Sequence, residues 1–294
     1  MSNISQFLTG SGRKKNRRIF QGSVGVTTVT WLVPPGVTEV EVHCWGAGGN
    51  GEPTGYGGGG GGYVTHVFPV TPSDSLLITA GASPGGTSSV SVPTQSPGSP
   101  ISATGGGAGI PTAAGVGGSG SYTIAPGIST ARTFNASGGT ANLGGGAAGS
   151  PFGRGGNGSY GGGGIGGDGF FYAPIGNFGG GSLGSASYNT GGLGKNGYKT
   201  ITSLAAPANA AVGENIGGSS GGDDWFYVDE ILGAGGSPTS PNGGAGGGGG
   251  GLGGNGGILG GGGYGPSLGG VGGLAGGGGG VVGRGGAGLV ILYW

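Results

Sequence analysis

Only a few side chains in this sequence have types and spacing that could support catalysis or metal binding. Residues 218–222 read GSSGG, which matches the G-x-S-x-G pattern of nucleophilic serines with Ser220 at its centre. No strand pattern precedes it, no helix pattern follows it, and His43 and His66 are distant in the sequence. His43, Cys44 and His66 could ligate a metal ion, but residues 43 and 44 point to opposite faces of one strand. We therefore predict that the protein is not an enzyme, that it holds no metal ion or cofactor, and that both histidines are structural.

Aromatic and acidic side chains cluster in short stretches between glycine-rich runs. Trp and Tyr are common anchors of protein interfaces, so these stretches are candidates for contact with a receptor. In the alternative interpretation the rings fold down and cap the side of the glycine-rich body. The candidate contact residues are Tyr56, Phe170, Phe171, Tyr172, Phe178, Tyr188, Tyr198, Asp223, Asp224, Trp225, Phe226 and Tyr227.

Basic side chains concentrate at the N-terminus. Half of the ten Lys and Arg residues lie in residues 1–22, namely Arg13, Lys14, Lys15, Arg17 and Arg18. This arm could attach the protein to an acidic partner, bind RNA, direct nuclear import, or be a solvated loop. The whole chain has a formal net charge of zero, so it lacks a broad attraction for nucleic acid or anionic membranes. We expect attachment to a partner protein and no nucleic-acid binding.

Alternating apolar residues predict strands near both ends of the chain. Val40, Val42 and Cys44 alternate with Glu39, Glu41 and His43. In the preceding stretch, Val29, Trp31 and Val33 alternate with Thr28, Thr30 and Leu32. Pro35-Gly36, between these two predicted strands, fits the centre of a type II turn. Further strands are expected at 63–71, 75–80 and 289–294. Because the last stretch, LVILYW, is apolar throughout, it must be buried, and we expect it to pair with the N-terminal strands.

A period of three organises the glycine-rich part of the sequence. The chain contains 93 glycines, and residues 243–288 are glycine at 30 of 46 positions. Leu252, Asn255 and Ile258 are three apart, which fits neither an α-helix nor a strand but matches a polyproline II-type helix with three residues per turn. Collagen is disfavoured because the frame slips and Pro266 is the single proline of the stretch. Disorder is the main rival, since glycine is costly to order, and a lattice of laterally hydrogen-bonded glycine helices is the ordered alternative.

These patterns predict a fold that is mainly β plus irregular structure. A small β-sandwich module, residues 23–82 with 284–294, is formed by the N- and C-terminal strands. A bundle of polyglycine II (polyproline II-type) helices, residues 83–283, is inserted between them, and the basic arm occupies residues 1–22. One cysteine excludes intrachain disulfides, and the sequence has neither a secretory signal nor a membrane span.

Connections between the glycine runs are expected in the stretches that are rich in Ser, Thr and Pro. Residues 83–104 and 119–135 are the longest of these. Each glycine-rich run must end in such a connection. We therefore expect contacts with other molecules at the loops that join consecutive runs.

The two ends of the chain resemble a known family. Residues 31–42 (WLVPPGVTEVEV), the WGAGG that begins at Trp45, the glycines at 57–62 and the closing GGAGLVILYW resemble the glycine-rich domain of bacteriophage tail fibres over about residues 20–294. The architecture is also similar to the distal adhesins of T-even-like phages, in which sandwiched glycine helices carry loops that bind bacterial outer-membrane proteins. This chain differs by placing its β module at both ends, so the loop assignments of those adhesins are not transferred.

The resemblance implies a receptor-binding protein of a phage tail tip or fibre. It would be a virion protein, made in the host cytoplasm without a signal peptide. Its expected partners are other tail or fibre proteins and a bacterial surface receptor, which could be an outer-membrane protein, a polysaccharide or a pilus. A homo-oligomer is compatible with this function, and membrane insertion is not expected. One alternative is a purely structural tail cap or connector. An ice-binding polyproline II bundle is disfavoured because the legs carry Leu, Asn, Ile, Tyr and Arg rather than a flat face of Thr.

Overall fold

The computed structural model describes residues 16–22, 28–95, 100–130, 133–150, 154–158, 162–164, 253–265 and 267–294. Within these ranges the regular elements are strands, and no α-helix forms. Accordingly, no helix in the described part of the chain is long and apolar enough to cross a membrane. The strands are β1 (Arg17–Gln21), β2 (Thr28–Leu32), β3 (Glu39–Trp45), β4 (Tyr63–Pro69), β5 (Ser75–Thr79), β6 (Ser88–Ser91), β7 (Ile101–Ala103), β8 (Gly120–Tyr122), β9 (Phe134–Ala136) and β10 (Leu289–Tyr293).

The last strand of the chain lies in the middle of the first sheet. This sheet is antiparallel with the order β1-β10-β3-β4-β9, so β10 pairs with β1 on one side and β3 on the other. Val290 lies opposite Phe20 and Cys44. All five residues of β10 are buried, as the apolar sequence LVILY requires. The predicted pairing of the C-terminal strand with N-terminal strands is confirmed.

The two strands on either side of the predicted turn, β2 and β3, do not pair with each other. The turn forms as predicted, with Gly36 at φ 80° and the Val37 N–H donating to the Pro34 carbonyl at 3.3 Å. However, β2 belongs to the second sheet, which has the order β2-β5-β6-β7-β8, so the turn carries the chain from one sheet to the other. The physical reason is burial, because Trp31 and Val40 both face the core between the sheets.

Four strands lie in stretches that we expected to be connections. Strands β6 to β9 fall within residues 83–136, among serines, threonines and prolines. In β6, Ser88 and Val90 are buried while the two alternate serines are partly exposed. Short polar strands of this kind have too few apolar residues to be recognised from their alternation. At the other end of the chain, β1 lies within the stretch that we assigned to the basic arm.

Two apolar clusters cover the two faces of the first sheet. On one face, Val290 and Leu292 join residues of both sheets in a shared sandwich core. On the other face, Leu289 and Ile291 pack with side chains from the glycine-rich segments, among them Leu259. The glycine-rich segments, which we together call the glycine body, therefore lie directly against the first sheet.

The glycine segments are joined laterally by backbone hydrogen bonds that repeat every third residue. Six N–H groups, those of residues 57–62, donate to three neighbouring segments in turn, at 2.6–3.0 Å. Gly57 and Gly60 donate to the carbonyls of residues 142 and 139. Gly58 and Gly61 donate to those of 278 and 275, and Gly59 and Gly62 to those of 107 and 104. The carbonyl groups of the same residues repeat this order as acceptors, at 2.8–3.0 Å. Those of Gly57 and Gly60 accept from the N–H groups of residues 115 and 118, those of Gly58 and Gly61 from 146 and 149, and those of Gly59 and Gly62 from 49 and 46. Every backbone polar group of this central segment is thus paired with a neighbouring segment.

Side chains are excluded from this segment by close approach of neighbouring backbones. A Cβ atom placed on Gly60 would lie 1.9 Å from the Ala147 carbonyl oxygen, and one on Gly61 would lie 1.9 Å from the Gly46 carbonyl oxygen. Bonded atoms aside, such distances are far inside van der Waals contact. Glycine is therefore required here by the spacing between segments.

Candidate functional site

The glycine segments carry their turns away from the sheets. Residues 46–51 follow β3, and residues 57–62 lead back to β4. Six extended residues span up to about 20 Å, so the turn at 52–56 lies up to that distance from the sheet. In the same way, Ala275 packs against the first sheet, residues 276–280 lead outward, and residues 283–288 return to β10. The turn at Val281 and Val282 is therefore also at the end opposite the sandwich.

Backbone hydrogen bonds tie these turns into one surface. The Val281 N–H donates to the Glu52 carbonyl at 2.9 Å, and the Gly280 N–H donates to the Leu143 carbonyl at 2.7 Å. A Cβ placed on Gly55 would lie 3.6 Å from Leu143 Cδ2 and 3.7 Å from Tyr264 Cε2. We call this surface the distal tip; it comprises residues 52–56, the hairpin 110–113, Leu143, Tyr264, Leu268, Val281 and Val282.

Apolar side chains dominate the exposed part of the distal tip. Ile110 is 51% exposed, Leu268 63% and Val282 49%. The acidic residue of the tip, Glu52, is only 8% exposed, and its Oε2 accepts the Thr54 N–H at 2.8 Å and the Thr54 hydroxyl. The carboxylate is thus used to hold its own turn, which leaves an apolar outer surface.

The predicted site residues that are described fall at opposite ends of the molecule. Tyr56, half-buried, is part of the distal tip. Arg17 and Arg18 lie in β1 at the sandwich, where the Arg18 guanidinium stands 5.6 Å from the Phe20 ring centroid. The remaining candidates lie outside the described residues: Arg13, Lys14, Lys15, Phe170, Phe171, Tyr172, Phe178, Tyr188, Tyr198, Asp223, Asp224, Trp225, Phe226 and Tyr227, together with Ser220.

Sequence reasoning missed most of the distal tip. Ile110, Leu143, Leu268 and the valine pair are separated by long stretches of sequence, and only the folded segments bring them together. The one available signal was the valine pair itself, because two adjacent bulky residues interrupt the period of three at 281–282.

A buried polar cluster joins the first sheet to the glycine body. His43 Nδ1 lies 2.6 Å from the Tyr63 hydroxyl, and His43 Nε2 lies 3.0 Å from Glu41 Oε1. The Trp45 indole N–H donates to the Gly149 carbonyl at 2.9 Å. Burial raises the pKa of the Tyr63 hydroxyl well above its ordinary value. The His43 side chain is 10% exposed and that of Glu41 32%, and the hydrogen bond from Trp45 connects this part of the first sheet to the glycine-rich segments.

The other potential reactive groups are also part of the packing. Cys44 faces the sandwich core, on the opposite side of β3 from His43, and burial raises the pKa of its thiol. His66 is fully buried, with Nδ1 2.7 Å from the Thr133 hydroxyl and its ring edge against Phe68. These positions fit structural roles for both histidines.

Neither metal chemistry nor comparison with known proteins adds a second candidate site. Within the described ranges, no group of three or more His, Cys, Asp or Glu side chains could hold a metal ion. No protein-family model matches the sequence, and a search of curated proteins finds no significant match. We therefore take the distal tip as the candidate functional site.

Proposed function

We propose that this protein is a receptor-binding component of a bacteriophage tail tip or fibre, in which a bundle of polyglycine II helices displays the distal tip to the host cell. The single observation that supports it best is the hydrogen bonding of residues 57–62. Donors three apart share one neighbouring segment, and acceptors do the same. A helix with three residues per turn produces this rotation, because every third residue returns to the same edge.

Lateral bonding accounts for the stability of such a bundle. Each glycine of residues 57–62 donates one hydrogen bond and accepts another from a neighbouring segment. A hydrogen bond contributes about 0.5–1.5 kcal/mol net. This offsets the extra ordering cost of a glycine, which is roughly 0.5–1 kcal/mol relative to alanine. The glycine body can therefore be rigid without an apolar core of its own.

A rigid bundle suits display of a binding surface. Turns that are already ordered lose little conformational entropy when they contact a partner, so more of the contact energy appears as affinity. An exposed apolar patch on such turns is typical of protein interaction sites. The sandwich end, with Arg17 and Arg18 in β1, would attach the protein to other tail or fibre proteins. The resemblance of both chain ends to phage tail fibres agrees with this arrangement.

The proposal is tested by binding of the purified protein to a panel of Gram-negative bacteria. We expect saturable, strain-specific binding that Leu268→Ser at the distal tip weakens. Leu32→Ser is the matched control, because Leu32 is 64% exposed against 63% for Leu268 but lies on the outer face of the sandwich. The proposal is contradicted if the wild type binds no strain saturably, which would favour a structural cap or connector. Equal effects of the two substitutions would also contradict it.

A further inference from the structure

Among the described residues of the glycine body, four that are not glycine have the left-handed backbone conformation that glycine adopts most easily. They are Leu259 at φ 65°, Ala275 at 61°, Val281 at 63° and Val282 at 59°. The conformation crowds the Cβ atom, and for a β-branched residue it is an outlier. In a chain with 93 glycines, these four positions call for a specific reason to retain a side chain.

Packing against the sheet explains two of the four. Leu259 and Ala275 are fully buried, in the cluster that also contains Leu289 and Ile291 of β10. Each sits in a turn of the glycine body, closed by bonds from Gly260 to Gly257 and from Gly276 to Gly273, both 2.8 Å. Their side chains therefore attach the body to the sandwich.

No such explanation applies to the valine pair. Val282 is 49% exposed, Val281 is only partly buried, and neither belongs to the apolar clusters on the two faces of the sheet. The turn is nevertheless fixed, because the Val281 N–H bonds to Glu52, the Gly269 N–H bonds to the Val281 carbonyl, and the Gly283 N–H bonds to the Gly279 carbonyl at 3.0 Å. Backbone strain that the surrounding structure maintains without gain in packing points to function.

We propose that Val281 and Val282 are the central contact residues of the distal tip, and that their partner is a protein presenting an uncharged, apolar surface. This inference rests on the proposed function and specifies its partner. The charge of the tip supports this partner. Glu52 is buried and bonded to Thr54, and the described turns of the tip contain no Lys or Arg. Arg284 is exposed but lies beyond the turn, in the segment that returns to β10. Ile110, Leu268 and Val282 give the turns themselves an apolar outer surface, which an apolar protein surface would cover.

Two double variants separate contact from folding. In V281N/V282N, asparagine tolerates the left-handed conformation and keeps the turn, but removes the apolar side chains. In V281G/V282G the strain is relieved, so the thermal midpoint should rise while the contact is lost. Both should raise the dissociation constant at least tenfold. The matched control Leu259→Gly also removes a strained side chain; it should lower the thermal midpoint and leave the dissociation constant unchanged.

The probe is outer-membrane vesicles from a panel of Gram-negative strains, before and after protease treatment. We expect saturable binding of the wild type that protease abolishes and both valine variants weaken. Wild-type binding that survives protease would overturn the protein partner in favour of a glycan or lipid. Valine variants that bind like the wild type would overturn the role of the turn. In both cases the proposed receptor-binding function would stand, whereas absence of any wild-type binding would overturn that function and this inference together.

Discussion

Two adjacent glycines allow a direct test of the close packing between glycine segments. A Cβ on Gly106 would lie 2.0 Å from the Gly59 carbonyl oxygen, whereas one on Gly107 would lie 3.4 Å from its nearest neighbour, the Val116 nitrogen. Neither residue has the left-handed conformation, and the N–H of Gly107 keeps its 2.8 Å bond to the Val116 carbonyl in an alanine variant. We therefore compare Gly106→Ala with Gly107→Ala.

The expected difference follows from these distances. To bring the new methyl group of Gly106→Ala to ordinary contact, the segments must separate by about 1.4 Å, the difference between 3.4 and 2.0 Å. Such a separation would stretch the 2.9 Å bond from the Gly59 N–H to the Gly107 carbonyl beyond bonding range. Overpacking costs about 1–3 kcal/mol and a lost buried bond about 1–3 kcal/mol, so we expect a loss of about 2–6 kcal/mol. Gly107→Ala should instead gain about 0.4–1 kcal/mol by restricting the unfolded chain.

Urea unfolding followed by tryptophan fluorescence measures the difference. Trp45 is a suitable reporter because it is buried between the first sheet and the glycine body. The two variants should differ by about 2 kcal/mol or more in free energy of unfolding, with similar dependence on urea. If they agree to within about 0.5 kcal/mol, the close approach of backbones does not determine the stability of the bundle, and the argument for a glycine lattice fails.

Three further predictions concern the sandwich and its junction with the glycine body. Trp45→Phe should lower the free energy of unfolding by about 1–3 kcal/mol because the buried Gly149 carbonyl loses its donor, as urea unfolding would show; an unchanged value would contradict this. The pKa of Asp74 is lowered by hydrogen bonds from Thr71, so its contribution to stability is present at neutral pH and lost as the pH falls below about 4. The difference in unfolding midpoint between wild type and Asp74→Asn should therefore shrink between pH 6 and pH 3, and a constant difference would refute it. Because the Cys44 thiol is buried and its pKa raised, iodoacetamide should label it only on unfolding, as mass spectrometry would show; rapid labelling of the native protein would refute this.

Much of the sandwich could be predicted because its main strands carry a clear alternation. Residues 39–45 alternate Val40, Val42 and Cys44 with polar side chains, and the structure buries those three in the core. The pairing partners were less accessible. A turn such as Pro35-Gly36 fixes the local path of the chain, but whether its two strands pair or enter different sheets depends on which other strands compete for their edges.

The candidate site was predicted in only one residue, Tyr56. The members of the distal tip come from turns that are up to about 230 residues apart in sequence, between Glu52 and Val282. Their meeting depends on how many glycine residues each leg contains and on which neighbour each leg bonds to. Neither the length of a segment nor its choice of neighbour can be recognised from the local sequence.

The sequence by itself determined the main strands, through their alternating apolar residues, but not the short polar strands β6 to β9. The threefold spacing among its glycines predicted extended segments with bare backbone edges. Only the tertiary structure decided which segments are neighbours, because the lateral backbone bonds of glycine carry no side-chain identity and any bare edge can pair with any other. The buried side chains of Leu259 and Ala275 against β10, and the return of the last strand between β1 and β3, supply that missing specificity. They hold the glycine-rich segments against the first sheet, at the end opposite the distal tip.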